Sequence, residues 1–239
     1  MVCVLCGWWK PPAWLTGLNP AERRPFCQVC EASLRPAGPV RLASGLVVHS
    51  LLNHQGPVRN AVHALKYRGV DRVANGLAPF LANLLPDQAA VLVPIPRSLP
   101  RRIKFGTDPG RALARAVSRV AGVPVADVLL APLLHRSQLR ERQEGDLRFR
   151  AHRAVPAGAV LVDDVLTTGA TLSSAAAACQ GEVIAAITLT RSVPDGGGDP
   201  LTSGYGSPPQ RSGDTVHRTN QSPRGGKGKP YRQVLRSAR

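Results

Sequence analysis

Between residues 40 and 191 the hydrophobic and polar positions follow two alternating rhythms. Short apolar runs, rich in β-branched residues, occupy 45–51, 89–95, 159–162 and 183–189. Longer stretches at 58–67, 73–85, 109–121 and 171–179 have the character of helices. The first kind predicts strands and the second predicts helices. Strands alternating with helices imply βαβ units, hence an α/β domain built on a mostly parallel sheet flanked by helices. The segment 109–121 is the best punctuated. Thr107 or Asp108 can cap it, Pro109 suits its first turn, and Gly122 suits its end. Leu113, Ala116, Val117 and Val120 recur at helical spacing and are predicted to face the core. Arg111, Arg115 and Arg119 recur every four residues and place a stripe of cations on the opposite side.

The flanks differ in character. Residues 1–36 hold two cysteine pairs, Trp8, Trp9, Trp14 and several prolines, a loop-rich piece too short to fold by apolar burial alone. From 192 onward, Gly196-Gly197-Gly198, Pro208-Pro209 and Gly225-Gly226 sit among Ser, Thr, Arg and Lys with almost no large apolar residue. Such a segment cannot bury enough surface to offset its ordering entropy, so 192–239 reads as a basic disordered tail. Three regions result: a knuckle at 1–36, a domain at 40–191 and the tail.

Composition refines this picture in three ways. Hydrophobic residues make up 43% of the chain but aromatics only 4%, so the core has to be assembled from Ala, Val and Leu. No apolar run approaches the roughly 20 residues that a membrane span needs. No charged segment followed by an apolar one opens the chain, so neither membrane insertion nor a signal peptide is expected, and a cytoplasmic location is. The formal net charge is +16. That excess points to a polyanionic partner (nucleic acid, a phosphorylated small molecule, or both), or else to a solvated arginine-rich face. Cations gather between 97 and 153: Arg101, Arg102, Lys104, the helical stripe, then Arg136, Arg140, Arg142, Arg148, Arg150 and Arg153. Aromatic residues for base stacking are sparse there, with Tyr67, Phe105 and Phe149 the candidates.

Of five cysteines, four fall in two CxxC pairs, Cys3/Cys6 and Cys27/Cys30. Each CxxC turn can aim two thiolates at one cation, and two turns complete a tetrahedral Zn²⁺ site. A redox CxxC would be single and set beside a βαβ unit. Structural zinc is therefore expected, with metal-free thiols or disulfides as the alternative. Cys179, late in a predicted helix, reads as a small core residue.

The most informative stretch is 160–172, Val-Leu-Val-Asp-Asp-Val-Leu-Thr-Thr-Gly-Ala-Thr-Leu. A buried-strand signature gives way to Asp163 and Asp164 where the strand is expected to end. Carboxylates at the carboxyl edge of a parallel sheet can accept hydrogen bonds from vicinal hydroxyls, as an acidic residue does for ribose in dinucleotide folds. The following Thr167, Thr168, Gly169, Ala170 and Thr171 lead into an alanine-rich helix. Small residues admit an anion close to the backbone, and a helix start offers it free N–H groups and a favourable dipole. The threonine hydroxyls add donors. Diol acceptors beside a phosphate cradle match a 5-phosphorylated ribose. The bland alternative is a strand end and a helix cap with no ligand. No GxxxxGK[ST] is present, which excludes a P-loop.

This run resembles the PRPP-binding loop of type I phosphoribosyltransferases. The wider layout is similar to the ComF group of late-competence, amidophosphoribosyltransferase-like proteins. In support are the double CxxC, Ala64-Leu65-Lys66-Tyr67-Arg68-Gly69 and Val93-Pro94-Ile95-Pro96, over about residues 1–191. The chain departs from the pattern after Arg101-Arg102, where Lys104-Phe105-Gly106-Thr107 stands in place of an Arg-Gly-Phe-Asn run. In the loop beyond, either Gln138 or Gln143 is the matching glutamine. The resemblance implies that Asp163 and Asp164 grip the ribose hydroxyls and that 167–171 cradle the 5-phosphate. It places 93–97 near pyrophosphate, with Mg²⁺ bridging pyrophosphate and ribose oxygens. It also implies an accessory role in DNA uptake, with contacts to single-stranded DNA and competence machinery. The alternative is an active transferase joining ribose 5-phosphate to a base or amine. A regulator using PRPP as a signal ranks last, because no DNA-reading helix is recognisable.

Overall fold

The structure is a computed structural model that describes residues 2–7, 25–66, 70–98, 103, 105–131 and 149–192. The tryptophans Trp8, Trp9 and Trp14, the Tyr67-Arg68-Gly69 end of one motif, and Arg101, Arg102 and Lys104 lie outside the described residues. So do Gln138 and Gln143 with their neighbouring cations, and the tail.

The chain order is α1 (Gln28–Ser33), β1 (Pro39–Arg41), β2 (Val47–Asn53), α2 (Pro57–Lys66), α3 (Val70–Ala82), β3 (Val91–Pro94) and α4 (Pro109–Ala121). It continues with β4 (Leu129–Leu130), β5 (Arg150–Ala151), β6 (Ala159–Leu166), α5 (Ala170–Ala178) and β7 (Val183–Arg191). Five strands form one sheet in the order β1-β2-β7-β6-β3. β2, β7, β6 and β3 run parallel, and β1 joins β2 antiparallel. The protein is thus α/β with a mostly parallel sheet, as the alternating rhythms imply. Val125 adds a single parallel bridge to Leu92 on the far side of β3. β4 and β5 pair antiparallel apart from the main sheet. Strands this short give too little alternation to be read from sequence.

Alternation along the strands sorts side chains into two layers. Val160, Val162 and Ile187 pack on one face with Leu65 of α2, Leu77 of α3 and Leu113 and Val117 of α4. Val48, Val93, Leu161 and Ala186 pack on the other with Leu172 and Ala175 of α5. Cys179 is buried in this second layer, as its reading as a core residue requires. With helices on both faces, the parallel strands are mainly apolar where buried, and the buried hydroxyls of Ser50 on β2 and Thr188 on β7 pair with each other at 2.7 Å.

Helix α4 keeps its sequence signals. The Asp108 side chain accepts from the Arg111 amide at 3.4 Å, Pro109 opens the first turn and Gly122 closes the helix in the left-handed region at φ 73°. One expectation fails there. Val120 is 51% exposed, because the buried stripe of α4 ends at Val117. Among the described residues no helix is long and apolar enough to cross a membrane.

The knuckle shares the core of the main domain. Cys3, Val4, Leu5, Phe26 and Cys30 belong to the same apolar cluster as Ala74, Leu77 and Phe80 of α3. Phe26 and Phe80 stack tilted, with ring centroids 5.5 Å apart. Gly76 makes the approach possible, since a Cβ there would lie 2.5 Å from Val4 Cγ2.

Candidate functional site

Two connections leave neighbouring strands for opposite faces of the sheet. β3 leads to α4 on one face, and β6 leads to α5 on the other. Such a divergence opens a crevice at the carboxyl edge, where ligands bind in open α/β sheets. By that rule the ligand edge falls between the segment after β3 and the turn 167–169. Gly110 lets α4 start against the backbone where β3 and β6 part. A Cβ on that residue would stand 2.7 Å from the Ile95 carbonyl oxygen and 3.1 Å from that of Val162.

Asp163 and Asp164 do not end their strand. β6 runs on to Leu166 because it stays paired with β7 as far as Leu166↔Arg191. On its other side, pairing with β3 stops at Pro94↔Val162, with the Ile95 amide donating to the Val162 carbonyl at 2.9 Å. The two carboxylates therefore follow the last β3 contact while the backbone is still held extended by β7. The sequence suggested a strand end; the structure has a half-paired strand whose open side faces the crevice.

The pair is electrostatically unequal. Burial, then the charge of Asp164, pushes the Asp163 carboxyl well above the ordinary carboxylate range. The Asp164 amide opposes this by donating to Asp163 Oδ1 at 2.8 Å, and Lys66 opposes it by its charge. Lys66 Nζ lies 3.6 Å from Asp164 Oδ2. One more basic group stands nearby. His54 follows β2, and its Nδ1 is 3.0 Å from Thr190 Oγ1. That hydroxyl donates in turn to the Asp164 carbonyl at 3.5 Å. Burial, then the charges of Arg59 and Lys66, hold the His54 imidazole below its usual value.

The turn after β6 leaves Thr167 and Thr168 exposed and Gly169 buried. Gly169 has φ 81°, and a Cβ there would come 2.6 Å from Leu42 Cδ2. Both facts require glycine. It opens α5 with no side-chain cap, while the Ala170 amide reaches Thr168 Oγ1 at 3.4 Å and the Ser173 amide donates to the Gly169 carbonyl. An uncapped helix start next to exposed hydroxyls presents donors to an anion. Ala170 and Thr171 form the first turn of α5. The acid pair and the anion-receptive turn thus stand on one continuous segment. Lys66, His54 and Thr190 were given no role from sequence. Lys66 sits in a recognised motif, whereas His54 and Thr190 approach the pair only through strand order.

Arg97 does not project freely. Its Nη1 donates to the Lys66 carbonyl at 3.3 Å and to that of Thr107 at 3.4 Å, and its guanidinium lies over the Phe105 ring, 5.4 Å from the centroid. Of the arginine stripe on α4, Arg111 pairs with Asp127 at 2.9 Å, while Arg115 and Arg119 are exposed and Arg119 donates to Asn75 on α3.

In the knuckle the ligand atoms of Cys3, Cys6, Cys27 and Cys30 all lie within 4.8 Å of one another and could hold a metal ion. Cys6 Sγ and Cys27 Sγ are 3.8 Å apart. Four sulfurs each ~2.3 Å from zinc at tetrahedral angles would be about 3.8 Å apart, so the set fits. The Cys27 amide donates to Cys3 Sγ at 3.3 Å and the Cys30 amide to Cys27 Sγ at 3.5 Å, so the chain folds its N–H groups toward the sulfurs. Burial raises the Cys3 thiol, but amides of Cys6, Cys27 and Leu5 outweigh it and bring the group to about 7. Burial and the neighbouring thiols of Cys27 and Cys6 push Cys30 up. No disulfide links the described cysteines.

Comparison with known proteins returns no match, either to a protein-family model or among curated sequences.

Proposed function

We propose that the β6–α5 turn binds a 5-phosphorylated ribose, with PRPP the ligand that suits it best. On this reading the chain is a ComF-like protein carrying a type I phosphoribosyltransferase-like domain. The observation that carries the reading is the acid pair at the open edge of β6, followed directly by the uncapped, glycine-led start of α5. Asp163 and Asp164 would accept from the ribose hydroxyls. Thr167, Thr168 and the amides of 169–171 would donate to the phosphate. Mg²⁺ would enter with the ligand and would neutralise part of its charge beside Asp163 and Asp164. Such a site acts by orientation and charge stabilisation, with no nucleophile required of the protein.

Two further parts of the reading are supported by other features. The four knuckle cysteines would hold a structural Zn²⁺, which their sulfur spacing accommodates. An accessory role in DNA uptake would use exposed cations for single-stranded DNA. Arg72 on α3 and Arg115 and Arg119 on α4 supply three of these on one helical pair.

Calorimetric titration of the full chain with Mg²⁺-PRPP tests the central assignment. Wild type should bind, and Asp163→Ala with Asp164→Ala should lose measurable binding, at least roughly 100-fold, because two charge-assisted contacts vanish together. Equal affinity of wild type and double variant would overturn it.

A further inference from the structure

We infer that Arg97 and Thr107 are positioning residues that hold Lys66 against the acid pair, linking the segment after β3 to the carboxylates of β6. The inference rests on the reading of β6–α5 as a ribose-phosphate site, and it adds how that site is kept in order.

Lys66 is the last described residue of α2, and carbonyls in the last turn of a helix take partners from outside it. Two groups from the segment after β3 converge on it. Thr107 Oγ1 donates at 2.8 Å and Arg97 Nη1 at 3.3 Å. The guanidinium is itself held, by the Thr107 carbonyl and by the Phe105 ring. A cation at a helix C-terminus also interacts favourably with the dipole. The main chain of Lys66 is therefore fixed from across the crevice, and its side chain reaches the carboxylate from that fixed root.

The anchor is needed because the ion pair is weak in itself. Lys66 and Asp164 are separated by 3.6 Å, with side chains 36% and 15% exposed. A half-exposed lysine loses rotamer freedom when it is held in one place, which offsets most of its attraction. The backbone has to supply the position. Among the described residues, Lys66 from α2 and His54 from the segment after β2 are the ionisable groups turned toward the acid pair from neighbouring elements, and Arg59 stands behind His54. Loss of Lys66 would leave the two carboxylates facing each other with less compensation.

The test uses the full chain and two readouts. The first is ligand-free: carbon-13 NMR of the Asp163 carboxyl through a pH titration. Lys66→Ala should move the Asp163 titration upward, since the Lys66 charge opposes its rise, and Arg97→Ala should move it the same way although Arg97 acts only through Lys66. Thr107→Val, a smaller change, should give a smaller shift in the same direction and serves if Arg97→Ala does not fold. The second readout is Mg²⁺-PRPP affinity, which should fall roughly fivefold in Lys66→Ala and in Arg97→Ala, with the double variant no weaker than either alone. A merely structural Arg97 would leave the carboxyl titration unmoved and give additive losses. If Arg97→Ala and Thr107→Val both titrate as wild type does, the positioning role is wrong. A wild type that binds no PRPP yet shows the carboxyl shifts refutes the ligand assignment and retains the coupling.

Discussion

At the scale of single residues, Asp163 carries the sharpest physical consequence. Its carboxyl is raised by burial and by Asp164, so the folded chain holds that proton more tightly than the unfolded chain does. The stabilisation is complete below the ordinary carboxylate range and is lost as pH climbs through the raised value. The wild type should accordingly lose stability with rising pH across that window. Asp163→Asn should flatten the dependence and raise the thermal midpoint at neutral pH, measured by calorimetric melting at several pH values. An unchanged slope would mean that Asp163 ionises freely and is not sequestered. Asp163 and Asp164 were legible in the sequence because two carboxylates after an apolar run have few reasons to be there. Their setting was not. β6 continues past them only because β7 pairs as far as Arg191, a partner that lies outside the local pattern.

At the scale of elements, α4 shows which signals travel. Asp108, Pro109 and Gly122 mark its ends by local backbone chemistry, and the structure uses all three. Val120 matched the helical period yet is exposed, since periodicity says which face a residue is on and not whether anything covers it. The knuckle makes a complementary case. Its cysteine spacing announced four ligand atoms that could hold a metal ion, while its attachment depends on Gly76, where only a missing Cβ admits Val4. Nothing in the sequence around Gly76 distinguishes it from a glycine tolerated in a helix. With zinc as the ion, chelation should release about one Zn²⁺ per chain and lower the thermal midpoint by at least roughly 5 °C, because metal binding and folding of this segment are one process. Loss of packing should reach Phe26 and Phe80, since the knuckle and α3 share one cluster. Quantified zinc release with an unmoved melting curve would show the site to be dispensable for the fold.

At the scale of the whole molecule, the charge of +16 is spread too widely to identify one surface from sequence. The structure narrows the choice by removing cations already in use. Arg97 is bound to carbonyls, and Arg111 pairs with Asp127. Arg72 and Arg115 remain exposed on α3 and α4, as does Arg119 although it donates to Asn75. If they contact three phosphates of single-stranded DNA, the logarithm of affinity should fall with the logarithm of salt at a slope of about −2 or steeper. Replacing all three by alanine should flatten the slope by about that amount, as read by fluorescence anisotropy with a labelled oligonucleotide. A flat dependence in the wild type would reject an electrostatic contact. The parallel sheet itself was readable from alternating rhythms. The strand order was not, because β6 and β7 insert between β2 and β3 long after both have been formed in the chain.

That insertion brings β6 beside β3 and creates the crevice, so the central claim is best tested on the segment it exposes. Backbone amide NMR of the full chain, recorded with and without Mg²⁺-PRPP, reads each position directly. Shifts concentrated at 163–173, largest at the amides of 169–171, are the predicted result. Saturating ligand that leaves those amides unmoved, or that moves only residues elsewhere, would contradict it.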